Sequence, residues 1–168
     1  YLQRKLPAHV FDNSFKFAFV RNPWDWLVSL YNYLQAQPSH RHHRQVCAIS
    51  DFEEYVEFEI ARDKRSQLEF LVDSQGDFLL DYIGRFENLE EDFGEICNHL
   101  QVNATLPHIN RSQHGDYRSL YTNISRKRVE EHWAEEIRRL SYNFENHDML
   151  PDLNPPAKSS DCLLYTSP

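Results

Sequence analysis

The segment from Phe15 to Leu34, FKFAFVRNPWDWLVSLYNYL, sets a strand directly against the start of a helix, and no other part of the chain constrains the fold as strongly. Phe15, Phe17 and Phe19 alternate with Lys16, Ala18 and Val20, the period of two that divides a strand into an aromatic face and a smaller one. Arg21 stands at the carboxyl end of that strand. Asn22 is a good N-cap, and Pro23 takes the first helical position, where a missing N–H costs nothing. Asp25 adds a negative charge to the first turn, where the helix dipole favours it. Trp24, Leu27, Val28, Tyr31 and Leu34 then recur at three- and four-residue spacing, the apolar stripe of a helix packed on a core. A helix that begins at the carboxyl end of a strand is where α/β folds hold phosphate. Here an arginine occupies that corner.

Ser29 lies seven residues after Asn22, two turns along the same helical face. Arginine presents a planar fork that can hold two phosphate oxygens, and a serine hydroxyl adds one donor. Read alone, the residues allow a phosphate pair or, equally, an arginine paired with a carboxylate and a serine filling a helix face. Arg21-Asn22-Pro23 followed by Ser29 and Tyr31 resembles the 3′-phosphate-binding motif of sulfotransferases that use PAPS (3′-phosphoadenosine 5′-phosphosulfate). In that family an arginine ends a strand, a proline follows two residues later and a serine stands eight residues after the arginine, as here. The wider wording is most similar to the branch of Golgi carbohydrate sulfotransferases and their bacterial relatives. The resemblance implies that Arg21 and Ser29 bind the 3′-phosphate of PAPS.

Composition bounds the alternatives. At 168 residues the chain holds one domain or part of one, and 40% hydrophobic residues suffice for a core. A formal charge of −8 argues against general binding of nucleic acid or anionic membranes, which calls for a basic surplus. No run approaches the ~18 apolar residues of a membrane span, and no signal-peptide pattern is present. Cys47, Cys97 and Cys162 lack metal-site spacing, and pairing of Cys47 with Cys97 is left open. Asn103, Asn110 and Asn123 head N-glycosylation sequons, which matter only in a secretory compartment.

Between Gln37 and Ser50 the chain is polar and carries the run His40-Arg41-His42-His43-Arg44. Without acidic or cysteine partners at regular spacing, a solvated loop is expected rather than a metal site; contact with an acidic acceptor such as a sulfated glycan is the functional alternative. Asp51 opens a second helix, with Glu54 three residues on as in a capping box and an end expected near Arg62-Asp63. Leu68 to Val72, the turn Ser74-Gln75-Gly76-Asp77 and the strand-like Phe78 to Phe86 suggest a hairpin-like excursion back to the sheet.

The phrase Asp81-Tyr82-Ile83-Gly84-Arg85-Phe86-Glu87-Asn88-Leu89 also resembles a strand-into-helix segment of the same family. Asn88 is expected to cap a helix whose Leu89, Phe93, Ile96, Cys97 and Leu100 form one apolar face. Arg85 and Glu87 share a strand face, as an ion pair bracing the junction or with Arg85 turned to the nucleotide. From Leu106, LPHINRSQHGDYRSLYT is similar to a loop that in relatives packs over the cofactor, which implies cofactor contact by Ser112 or Arg118. Ser125 is expected to cap a last helix carrying Val129, Trp133, Ile137 and Leu140, before Tyr142-Asn143-Phe144 closes the domain.

The resemblance covers roughly residues 10 to 145 and implies an α/β, P-loop-like fold, a parallel core sheet flanked by helices. Relatives hold the 5′-phosphosulfate with an N-terminal strand–loop–helix. The stretch before Phe15 has no glycine and no such order, so the first β-loop-α unit is expected to be missing and the fragment inactive alone. His9 is the upstream histidine that remains, read as a surface or capping residue rather than the general base, and no catalytic residue is assigned. Residues 1–150 are expected to form a partial domain and 151–168 a disordered tail, non-native from Ser159 onward. The function implied is sulfuryl transfer from PAPS, without a metal, to a hydroxyl of a carbohydrate; the alternative is a non-catalytic domain that binds a nucleotide or glycan. Bacterial relatives are cytoplasmic and animal ones lie in the Golgi lumen, which leaves the compartment open.

Overall fold

A computed structural model describes residues 6–62, 66–107 and 115–145. Arg4, Lys5, Asn110, Ser112, His114 and the segment 146–168 lie outside the described residues. In chain order the elements are α1 (Ala8–Asn13), β1 (Phe17–Val20), α2 (Pro23–Ala36), α3 (His43–Cys47), α4 (Phe52–Ala61), β2 (Tyr82–Arg85), α5 (Leu89–Leu100), α6 (Asn123–His132) and α7 (Ala134–Arg139). Single 3-10 turns fall at Leu68–Phe70, Phe86–Asn88 and Tyr117–Leu120. Strands β1 and β2 pair in parallel with Phe17 opposite Tyr82 and Val20 opposite Arg85. The fold is therefore mixed α/β around a small parallel sheet.

The strand-to-helix corner forms as its residues dictate. The Asn22 side-chain oxygen accepts from the Trp24 and Asp25 amides at 3.0 and 3.4 Å, capping α2 with Pro23 in its first turn. Trp24, Leu27, Val28 and Leu34 are fully buried, and Tyr31 packs on Phe52 and Tyr55 of α4. Along β1 the smaller face is the inner one: Val20 is buried, whereas Phe17 is 41% exposed. The core gathers α2, α4, α6 and the segment 140–144 around Tyr55, Val56, Val129, Leu140 and Phe144.

Gly84 lies where the two strands press together. A Cβ there would stand 2.5 Å from Cε1 of Phe19 and 3.3 Å from Cβ of Asp92. Gly84→Ala is expected to cost about 1–3 kcal/mol, the usual penalty for overpacking, read as a lower urea midpoint at unchanged slope. An unshifted midpoint would mean that the Phe19 ring yields freely.

Local expectations are corrected at the histidine run, at the caps of α5 and α6 and in the last helix, whereas the hairpin-like excursion is found. The basic histidine run is not wholly loop: α3 forms within it because Val46 is fully buried in the core and His43 Nδ1 lies 2.9 Å from the Leu34 carbonyl. The excursion after α4 holds one antiparallel bridge, Val72 to Phe78, around a turn whose amides at Gln75 and Asp77 are accepted by Asp73. Asn88 makes no side-chain cap; α5 continues from a 3-10 turn, and the carboxylate of Asp92 turns back to the Arg85 amide. Thr122, not Ser125, caps α6, while Ser125 completes a reciprocal capping box from the third helical position. The last helix also breaks at Trp133 into α6 and α7, so that Leu140 lies just past the end of α7 rather than on one long stripe.

Candidate functional site

The corner at Arg21 is enclosed by side chains from distant parts of the chain. Arg21 Nε donates to Asp25 Oδ2 at 2.7 Å, one helical turn along, and both side chains are largely buried. Its guanidinium carbon lies 4.4 Å from the centre of the Phe86 ring, a cation–π distance. The next amide, of Asn22, donates to Glu87 Oε1 at 2.6 Å, and the Asn22 side-chain nitrogen donates to the Asn143 carbonyl at 3.1 Å. Arg21 has its own backbone held by Gln67: the N–H donates to Oε1 at 3.0 Å, and the C=O accepts from Nε2 at 2.9 Å.

The picked residues that are described each have a definite place. Ser29 is half-buried on α2, one turn beyond Asp25 and therefore in the same row of the helix surface. Arg85 is buried. Its Nη2 donates to the Leu140 carbonyl at 3.0 Å just past the end of α7, and its guanidinium covers the Tyr142 ring at 4.7 Å. Glu87 is the link back to the corner, since its second oxygen accepts from the Tyr142 hydroxyl at 3.1 Å. Arg118 lies further out, held by both oxygens of Asp116 at 2.8 and 3.0 Å and by the Glu145 carbonyl at 3.0 Å. Ser112 falls outside the described residues. His9 is exposed on α1 and its carbonyl accepts from Asn13.

Four consecutive residues join these places. The chain reverses at Ser141, whose φ of 54° is left-handed, and runs back over the corner. Tyr142 then covers Arg85, Asn143 ties Asn22, Phe144 packs edge-on to Trp24 at 5.7 Å, and Glu145 holds Arg118 and Arg126. The sequence marked this segment only as the close of the domain. It also missed Gln67 and Glu136. A readable signal existed for Glu136: a carboxylate spaced three after Trp133 and four before Leu140 on an apolar stripe is a buried acid that needs partners.

Burial governs the titration of this region. It pushes the Tyr142 hydroxyl up, with the Glu87 carboxylate adding to the effect, and pushes Tyr117 up to about 12. Tyr55 and Tyr121 are raised for the same first reason. These phenols are neutral in the folded chain and ionise near pH 10 once unfolded. Stability from this source is therefore intact below about pH 10 and declines as pH rises through the higher folded values. Urea midpoints measured between about pH 8 and pH 12 should be level at first and then fall; a level curve throughout would contradict the burial of these rings.

Among the described residues no three His, Cys, Asp or Glu side chains gather as a metal ion requires, and no helix is long and apolar enough to cross a membrane. No curated protein and no solved structure matches the chain. The model of the sulfotransferase family matches residues 2–149.

Proposed function

The chain belongs to the sulfotransferase family, and from that membership we propose that it binds PAPS through the Arg21 corner in the transfer of a sulfuryl group to a hydroxyl of a carbohydrate. In such a transfer the acceptor oxygen attacks sulfur, the bond from sulfur to the 5′-phosphate oxygen breaks, and the hydroxyl proton leaves. The nucleotide departs as 3′-phosphoadenosine 5′-phosphate.

One observation carries the reading: Arg21 emerges from the end of β1 at the capped N-terminus of α2, with Ser29 two turns along that helix. The α2 N-terminus and the guanidinium both favour an anion. Asp25 holds Arg21 by Nε, the donor nearest the stem, and so fixes the guanidinium at the helix N-terminus. The half-buried setting strengthens a charge-assisted bond relative to open water. Tyr142 and Asn143 serve this corner by holding Glu87 and Asn22, Arg85 lies against the Tyr142 ring, and Arg118, held by Glu145, is a further cation for the nucleotide.

Calorimetric titration of the chain with 3′-phosphoadenosine 5′-phosphate and with 5′-AMP tests the nucleotide half. Tighter binding of the 3′-phosphorylated nucleotide by at least about tenfold is expected, the worth of one good charge-assisted contact. Equal affinities would defeat the assignment. Labelled PAPS offered with a panel of glycans tests the acceptor, and label on non-carbohydrate hydroxyls alone would replace the carbohydrate.

A further inference from the structure

We propose that Gln67 and Glu136 are positioning residues that aim Arg21 and so set the preference for a 3′-phosphate, an inference that rests on the reading of the Arg21 corner given above. Arg21 follows the last strand residue, Val20, and Val20 is also the end of the ladder with β2. Beyond that point a strand's backbone groups need another partner or water. Gln67 supplies both halves of one: its carbonyl accepts the Arg21 N–H at 3.0 Å and its NH₂ donates to the Arg21 C=O at 2.9 Å. A single side-chain amide thus extends the extended backbone of β1 by one residue and fixes the direction in which the arginine side chain departs.

Glu136 makes that amide rigid. Its Oε1 accepts from Gln67 Nε2 at 2.8 Å, and its Oε2 accepts from the Gln67 backbone N–H at 2.7 Å and from the Ser66 hydroxyl. The carboxylate grips both ends of Gln67 and dictates which way the amide faces, because the reversed amide would set oxygen against oxygen at both Arg21 and Glu136. Glu136 is 3% exposed, one turn from the buried Trp133 and one turn from Leu140, so it has no route to water. An apolar residue of that size would hold α7 in place at no desolvation cost, and replacing buried charge by apolar groups is often neutral or stabilising. What the carboxylate adds is orientation. A side chain displaced by about 1 Å can forfeit most of its binding or catalytic value.

The test compares two affinities for each of two variants, using calorimetric titration of the full chain with 3′-phosphoadenosine 5′-phosphate and with 5′-AMP. Gln67→Met keeps length and volume and removes the amide. Glu136→Gln keeps shape and Gln67 itself, removes the charge, and stands as the second variant if the first folds poorly. Each is expected to weaken the 3′-phosphorylated nucleotide about tenfold while 5′-AMP changes less than about twofold, so that the ratio collapses. A melting temperature or an overall affinity that falls with the ratio unchanged would mark both residues as merely structural and overturn the proposal. Absence of any preference in the unmodified chain would instead remove the reading of the corner, and this inference with it.

Discussion

Replacing Arg21 by alanine is expected to weaken 3′-phosphoadenosine 5′-phosphate about 100-fold while 5′-AMP loses less than about threefold. A hydrogen bond to a charged group is worth about 1.5–3 kcal/mol, and a fork that grips a phosphate makes two of them, so a loss near 3 kcal/mol is the natural scale. Arg21→Lys should recover part of that loss, because the charge returns without the planar fork. The alanine variant also removes one partner of the Asp25 carboxylate, whose side chain is only 11% exposed. The double variant Arg21→Ala with Asp25→Asn removes that complication: the 3′-phosphate preference should stay lost even where stability recovers. A parallel decline of both nucleotides would show that Arg21 is a structural partner of Asp25 and nothing more.

The largest effect on stability is expected at Trp24. The indole is 1% exposed, meets Phe144 edge-on at 5.7 Å, and donates Nε1–H to the Arg126 carbonyl at 3.2 Å, while the Trp24 carbonyl accepts the Tyr121 hydroxyl at 2.9 Å. Trp24→Ala removes the bulk that joins α2 to α6 and to the 142–145 segment. Losses of about 3–5 kcal/mol are typical for such truncations, against a total stability of about 5–15 kcal/mol. The melting temperature should fall by about 10 °C or more. Trp24→Phe retains the packing and loses the indole donor, so it should fall in between at about 1–2 kcal/mol. A loss below about 1 kcal/mol for the alanine variant would mean that the corner is not built on this side chain.

These two residues lie only three apart, and their legibility in the sequence differs from that of their surroundings. The cap at Asn22, the proline after it and the apolar spacing from Trp24 to Leu34 act within one or two turns, so a local pattern reports them faithfully. The cap of α5 failed because tertiary packing drew Phe86–Asn88 into a 3-10 turn, and the cap of α6 moved three residues because Thr122 and Ser125 share a reciprocal capping box in which either hydroxyl residue reads as the cap. The loop reading of the histidine run gave way where a single buried valine anchored a helical turn.

The sequence by itself determined that a strand runs up to Arg21, that a capped helix begins at once, and that a second strand carrying Arg85 precedes another helix, since strand alternation, capping and helical spacing are near-neighbour physics. Tertiary structure alone decided what surrounds the arginine. Gln67 reaches Arg21 across 46 residues, Glu87 reaches Asn22 across 65, Glu136 reaches Gln67 across 69 and Asn143 reaches Asn22 across 121. No periodicity links positions that far apart. They meet because apolar stripes on α2, α4, α6 and α7 exclude water from a shared core, and the polar groups carried inward with them have only one another to bond.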